Sequence, residues 1–164
     1  MSNKLTDQEF YATLPRKRIV GAVLVEHDQR ILIVKPTYKD FWLIPGGVIE
    51  KHESPYTGAL REFHEEIGFT TEIVRLLCVD HVNQETPFAD EAIHFLFRGR
   101  DLRSEEIARI RLQESELSEY RLVDFDEAER LLDPRLARRL AQAINDAHES
   151  PLYLENGENR MACK

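Results

Sequence analysis

Three glutamates in the middle of the chain are spaced so that a helix would bring their carboxylates together. Glu62, Glu65 and Glu66 stand at positions i, i+3 and i+4, and on a helix they fall within an arc of about 100°. Like charges at this spacing repel each other by about 0.2–0.5 kcal/mol per pair. A bound divalent cation would offset the repulsion, since hard cations such as Mg²⁺ take carboxylate oxygens as ligands. From these residues alone, a solvated acidic helix face explains the pattern as well.

The residues on either side of the glutamates predict the helix that carries them. Ser54 is a good N-cap, Pro55 suits the first helical position and Gly68 suits the residue after the last turn. The face predicted to pack on a core is an apolar stripe of Tyr56, Ala59, Leu60, Phe63 and Ile67. We therefore expect the carboxylates at the edge of a buried face, near the negative end of the helix dipole.

A longer pattern surrounds this helix. Gly47 is followed after five residues by Glu53, and after seven more by REFHEEIGF at residues 61–69. The pattern Gly, five residues, Glu, seven residues, Arg-Glu-apolar-any-Glu-Glu-any-Gly-apolar resembles the signature of the Nudix hydrolases. WLIPGG at residues 42–47 is also similar to the family's approach to this motif. Phe63 departs slightly from the family, which usually has an aliphatic residue there.

The resemblance implies a reaction and a metal site. The family hydrolyses a nucleoside diphosphate linked to another group, by attack of water on phosphorus. Glu62, Glu65 and Glu66 match its metal-binding glutamates and are expected to bind Mg²⁺, or Mn²⁺ in its place, with Glu65 and Glu66 also among the catalytic residues. Arg61 and Glu53 match a supporting pair that orients a ligand glutamate. An ordinary surface Arg–Glu pair is the alternative for these two residues.

Two glycines precede the motif helix. Gly46 and Gly47 allow the backbone to approach a ligand closely, and in the family a carbonyl of this loop can reach the metal. A plain turn required by Pro45 is the alternative.

The sequence leaves the identity of the general base open. In some family members it lies in a loop outside the motif, and Glu114, six residues before Tyr120, stands at a resembling position. Glu116 and Glu119 are rivals, and each of the three could be a solvated loop carboxylate. A glutamate of the motif could take the proton instead.

Other residues able to do chemistry have weaker support. The basic run RKR at residues 16–18 could contact a phosphate, or could protect a strand edge from aggregation. Trp42 could stack on a base, although a place in the core is the more common role. His94 is expected to be a half-buried structural histidine, and His64 to face solvent.

Bulk properties limit the range of functions. The 164 residues suit one domain, and a net charge of −8 argues against binding a long nucleic acid. The longest apolar run, residues 19–25, is too short to span a membrane. Cys78 and Cys163 have no spacing typical of zinc sites or disulfides, and the first ten residues lack the apolar stretch of a signal peptide. These features predict a cytoplasmic protein, and a homodimer is compatible with them.

The hydrophobic pattern predicts an α/β fold. We expect a flexible lead-in at residues 1–15, a single domain at 16–149 and a tail at 150–164. Strands are predicted near residues 17–26, 30–35, 41–44, 72–82, 92–98 and 120–124, and a final helix opens at Pro134 after Asp133. Short strands joined by hairpins predict a mixed sheet with helices on both faces. The resemblance implies the same α/β/α sandwich.

The sequence does not determine the substrate, and two functions other than hydrolysis are compatible with the fold. A nucleoside triphosphate, an oxidised nucleotide, a nucleotide sugar or ADP-ribose all fit, and Pro87 lies near, but does not match, a proline typical of ADP-ribose hydrolases. A non-hydrolytic nucleotide sensor and an isoprenoid diphosphate isomerase share the fold. The isomerase relies on a cysteine, but Cys78 stands in an apolar run typical of buried residues. The complete motif favours hydrolysis of a small nucleotide derivative.

Overall fold

Strands and helices alternate along the part of the chain that the computed structural model describes, residues 6–83, 91–145 and 150–161. Pro87 and Cys163 lie outside it. The elements are α1 (Asp7–Thr13), β1 (Arg18–Leu24), β2 (Glu26–His27), β3 (Arg30–Pro36), β4 (Gly46–Val48), α2 (Pro55–Ile67), β5 (Ile73–Val82), β6 (Ala92–Gly99), α3 (Ser104–Ile107), β7 (Leu117–Val123), α4 (Phe125–Leu131), α5 (Pro134–Asn145), β8 (Leu152–Glu155) and β9 (Glu158–Asn159).

The main sheet has the strand order β4-β1-β6-β5-β8-β9. β1 pairs in parallel with β6, and β5 pairs in parallel with β8, whereas the other neighbours are antiparallel. A second sheet has the order β2-β3-β7. The prediction of a mixed sheet is therefore confirmed.

Helices cover both faces of the main sheet, which explains why β1 reads as a nearly continuous apolar run. Val23 and Val25 lie in one core with Phe63 of α2. Leu24, which points the other way along the strand, lies in a second core with Leu140 of α5. The predicted α/β/α layering follows from this alternation.

The motif helix begins and ends where its sequence predicts. The Ser54 hydroxyl accepts a hydrogen bond from Thr57 N at 3.1 Å, and Pro55 opens the helix. Gly68 takes a left-handed φ of 88°, and its N–H donates to the carbonyl of His64 at 2.8 Å. These caps fix both ends of the helix, and the glutamates lie in its last turns, next to Gly68.

The buried face of α2 differs from the predicted stripe at two positions. Tyr56 is 49% exposed and contacts the ring of Phe97 only edge-on. Glu66 is only 7% exposed. An acidic side chain thus lies in the buried face, whereas the pattern predicts it at the edge of that face.

Other local predictions also differ from the structure. Residues 41–44 form two isolated bridges, Val34 with Leu43 and Trp42 with Leu132, instead of a strand. Helix α1 lies within the expected lead-in, and α4 begins after Asp124, whose carboxylate caps it. Strand β8 lies beyond the expected boundary at residue 149, yet it pairs with β5 inside the main sheet.

A buried ion pair joins α5 and the chain after β8 to the centre of the sheet. Asp80 of β5 is fully buried, and its carboxylate accepts hydrogen bonds from Arg139 Nε at 2.8 Å and from Gly157 N at 3.1 Å. Both acceptor oxygens are thereby satisfied, as a buried charge requires. No helix in the described ranges is long and apolar enough to span a bilayer.

Candidate active site

Arg61 and Glu53 form a forked ion pair beside the motif helix. Arg61 Nε donates to Glu53 Oε1 and Arg61 Nη2 donates to Glu53 Oε2, both at 3.0 Å. Glu53 Oε2 also accepts from the backbone N–H of Glu50 at 3.0 Å. The hydrogen bonds from Arg61 and the Glu50 backbone hold the pKa of Glu53 below its ordinary value. Glu53 therefore acts as a fixed anionic support for Arg61.

The same guanidinium binds two of the helix glutamates. Arg61 Nη1 donates to Glu62 Oε1 and to Glu65 Oε2, each at 2.9 Å, and Nη2 donates to the carbonyl of Val48 at 3.2 Å. One cation thus lies among three carboxylates and offsets part of their mutual repulsion.

Glu66 lies deepest in the group. Its Oε2 accepts a hydrogen bond from the backbone N–H of Gly46 at 2.8 Å. Burial raises the pKa of Glu66 to about 8, and the charges of Glu62, Glu116 and Glu65 act in the same direction, although the Gly46 N–H opposes them. The carboxylate therefore lacks sufficient compensating positive charge.

Gly47 lets Glu62 approach the strand. A Cβ at this position would lie 2.5 Å from Glu62 Cδ, so the carboxylate occupies the space that a larger side chain would need. Burial also raises the pKa of Glu62, against the opposing effect of Arg61. The two glycines of the loop thus contact two different glutamates, Gly46 through a hydrogen bond and Gly47 through close packing.

The donor set fits a hard divalent cation. Glu62, Glu65 and Glu66 supply carboxylate oxygens, and burial with like charge leaves two of them with raised pKa values. Within the described ranges no three acidic, imidazole or thiol groups already lie close enough together to ligate one ion. Instead, Glu62 and Glu65 each accept a hydrogen bond from Arg61, and Glu66 accepts one from the backbone N–H of Gly46.

The loop before β7 packs against the end of α2. Arg111 N donates to the carbonyl of Ile67 at 2.9 Å, and Gln113 N donates to that of Glu66 at 3.3 Å. Glu114 is exposed in this loop. Glu116 is also exposed, and its charge raises the pKa values of Glu62 and Glu66.

Tyr38 is a candidate site residue that the sequence did not predict. Its side chain is 67% exposed. Partial burial and the charges of Glu116, Glu66 and Glu62 raise the pKa of its phenol. The signal available in the sequence is the mixture of aromatic and basic residues in TYKDF at residues 37–41.

The remaining candidates have simpler surroundings. His64 is exposed and Trp42 is buried in the core, with the Arg121 guanidinium 4.7 Å from its ring. His94 is half-buried, as expected. Cys78 is fully buried, and burial raises the pKa of its thiol to about 12, which disfavours a role in proton transfer or as a nucleophile.

Comparisons with known proteins identify the family. The family model of the NUDIX domain matches residues 15–146. The chain is 32% identical to the ADP-ribose pyrophosphatase of Bacillus subtilis (strain 168) over 120 residues, which are 71% of this chain and 63% of the relative. It spans only about a third of the length of the first curated relatives that it matches.

Solved structures share the fold. A NUDIX hydrolase from Nitrosomonas europaea has a TM-score of 0.67 at 17% identity, covering 84% of this chain and 94% of its own. The NUDIX domain of Shewanella oneidensis NrtR, complexed with ADP ribose, has a TM-score of 0.65 at 17% identity, covering 85% and 97%. With the motif glutamates gathered at one end of α2 and a family model that spans most of the sequence, this chain belongs to the Nudix family.

Proposed function

We propose that this protein hydrolyses a nucleoside diphosphate linked to another group, by metal-dependent attack of water on phosphorus. The observation that carries the proposal is the set of carboxylates around Glu66. This glutamate is buried beside like charges, and its neighbours Glu62 and Glu65 share a single guanidinium. A site of this kind is suited to bind positive charge and, through it, a phosphate.

Three glutamates would hold the ion, and their neighbours would position them. Glu62, Glu65 and Glu66 are the proposed ligands of Mg²⁺, with Mn²⁺ as a substitute. A bound ion would neutralise the charge of the diphosphate and make the attacking water more acidic. The two parallel hydrogen bonds between Arg61 and Glu53 hold the guanidinium in one orientation. The guanidinium in turn sets the directions of the ligand carboxylates.

The Gly46–Gly47 backbone is the proposed contact surface for the ligand. Gly46 holds Glu66 through its N–H, and Gly47 leaves space for Glu62, so the loop and the carboxylates form one surface. Without side chains, these two residues let a phosphate approach the backbone closely.

For the general base we propose a carboxylate of the loop that packs on α2. Glu114 is one candidate from its position in the sequence. Glu116 is favoured over it because Glu116, unlike Glu114, is among the charges that raise the pKa values of Glu62 and Glu66. A base in this position would accept the proton of the attacking water and leave the motif glutamates free to hold the ion.

The experiment is a hydrolysis panel with and without Mg²⁺. ADP-ribose, a nucleotide sugar, a nucleoside triphosphate, an oxidised nucleoside triphosphate and a nucleoside diphosphate linked to a sugar phosphate are incubated with the wild-type protein and with Glu66→Gln. We expect at least one compound to be hydrolysed only with the metal and only by the wild type. Tight binding of a nucleotide without turnover of any compound would support a sensor and contradict the proposal.

A further inference from the structure

A cavity of about 340 Å³ lies beside β4, on the face of the main sheet that α5 covers. Val20 and Ala22 of β1 line it, whereas Gly21 between them packs against α2 on the other face. His94 of β6 and Leu136 of α5 complete its inner walls. Its size falls within the range of small-molecule sites.

The cavity and the acidic group are separated only by the short strand β4. Gly46 and Gly47 line the cavity, and the same residues contact Glu66 and Glu62. Tyr38, an exposed side chain in the segment between β3 and β4, also lines it. A substrate held at the carboxylates could therefore extend past β4 into the cavity.

The charge of the cavity is opposite to that of the protein. The chain has a net charge of −8, yet the described residues that line the cavity include four cations and one acid. The cations are Arg18, Lys39, Arg135 and Arg139. The acid, Asp133, already accepts hydrogen bonds from the backbone N–H groups of Arg135 and Leu136, at 3.0 and 3.2 Å.

Two of these cations have no carboxylate partner in the described part of the chain. Arg18 lies at the start of β1 with no ion pair there, and Lys39 contacts only the rings of Tyr38 and Phe41, 5.4 Å from each centroid. His94 adds no charge near pH 7, because burial together with Arg139 and Arg18 lowers its pKa to about 3. A pocket with apolar walls and unpaired cations is suited to a strong anion.

We propose that this cavity binds a phosphate-bearing group of the substrate, separate from the diphosphate at the glutamates, with Arg18 and Lys39 as its main contacts. The volume leaves space for a sugar that carries the phosphate. The inference rests on the proposed function for the identity of the substrate. It names a class, diphosphates whose second part has its own phosphate.

The test measures binding in EDTA, so it does not depend on turnover. Calorimetry compares ribose 5-phosphate with ribose at constant ionic strength. We expect saturable binding of ribose 5-phosphate alone. Arg18→Gln should weaken it by about tenfold or more, the loss of one charge-assisted hydrogen bond. Lys39→Gln provides a second variant if Arg18→Gln alters the melting temperature. Arg109→Gln, at an exposed arginine outside the cavity, should bind as the wild type does.

Equal affinities for the two sugars, no detectable binding of ribose 5-phosphate, or full binding by both cavity variants would overturn the inference. Its failure is distinguishable from failure of the proposed function. A protein that binds ribose 5-phosphate but hydrolyses no diphosphate would retain the cavity site and lose the activity. A protein that hydrolyses a diphosphate without binding the phosphorylated sugar would show the reverse.

Discussion

The buried carboxylate of Glu66 accepts a hydrogen bond from the backbone N–H of Gly46 at 2.8 Å, across 20 residues of sequence. This contact joins the last turn of α2 to the edge strand β4. It places the least solvated acid of the group directly beside the strand that separates it from the cavity.

Arg61 is expected to act through its shape as well as its charge. Arg61→Lys keeps the charge, but a lysine ammonium cannot form two parallel hydrogen bonds with Glu53 while it also contacts Glu62 and Glu65. We expect kcat/KM to fall by about 10–100-fold and the Mg²⁺ concentration for half-maximal activity to rise. Arg160→Lys, in an exposed pair, is the matched control. Activity of Arg61→Lys equal to that of the control would show that the fork is not needed.

Substitutions of the two glycines of β4 should have different effects. Gly47→Ala would displace Glu62, a flexible side chain, so we expect kcat to fall by about 100-fold with little change in stability. Gly46→Ala would put a Cβ 2.4 Å from the carbonyl oxygen of Gly21, at a φ of +150°. We expect it to lower the free energy of unfolding by about 1–3 kcal/mol. Steady-state kinetics and urea unfolding separate the effects, and similar losses of stability in both variants would contradict this assignment.

The loop carboxylates can be ranked by mutation. Glu116→Gln should lower kcat by about 10²-fold or more at saturating Mg²⁺, as expected for a general base. Glu114→Gln, two residues away and exposed, is the matched comparison and should stay near the wild-type value. If only Glu114→Gln loses activity, the base is Glu114. If neither does, Glu119 or a glutamate of the motif takes the proton.

Glu106 makes stability depend on acid pH. Arg100, with the backbone and side chain of Arg103, lowers the pKa of this carboxyl from 4.5 to about 2. Because the folded pKa is depressed, its contribution is present above about pH 4.5 and is lost as the pH falls towards 2. We expect Glu106→Gln to cost about 1.5–3 kcal/mol at pH 7 and much less at pH 3. Urea unfolding at both pH values tests this against the exposed neighbour Glu105→Gln, and an equal cost at the two pH values would contradict it.

Local signals explain what the sequence could predict. The ends of α2 follow from Ser54, Pro55 and Gly68, whose effects act within a few residues. The grouping of Glu62, Glu65 and Glu66 likewise follows from helix geometry, although the geometry does not show which of them is buried.

Long-range contacts explain the features that the sequence could not predict. The burial of Glu66 depends on Gly46, and strand β8 depends on pairing with β5, where Leu152 aligns with Cys78. The cavity is built from five separate segments of the chain. The basic run that contains Arg18 and the residues around Tyr38 therefore do not show by themselves that these two side chains line one cavity. Periodicity and capping describe single elements, whereas these features arise when elements pack together.

The most direct test of the central claim is hydrolysis in H₂¹⁸O. The compound of the panel that is hydrolysed fastest is incubated with Mg²⁺, and both products are analysed by mass spectrometry. Attack of water on phosphorus predicts one ¹⁸O atom in a phosphate group of one product, with Glu66→Gln producing almost none of it. Products without ¹⁸O in either phosphate, or equal yields from Glu66→Gln, would contradict the account.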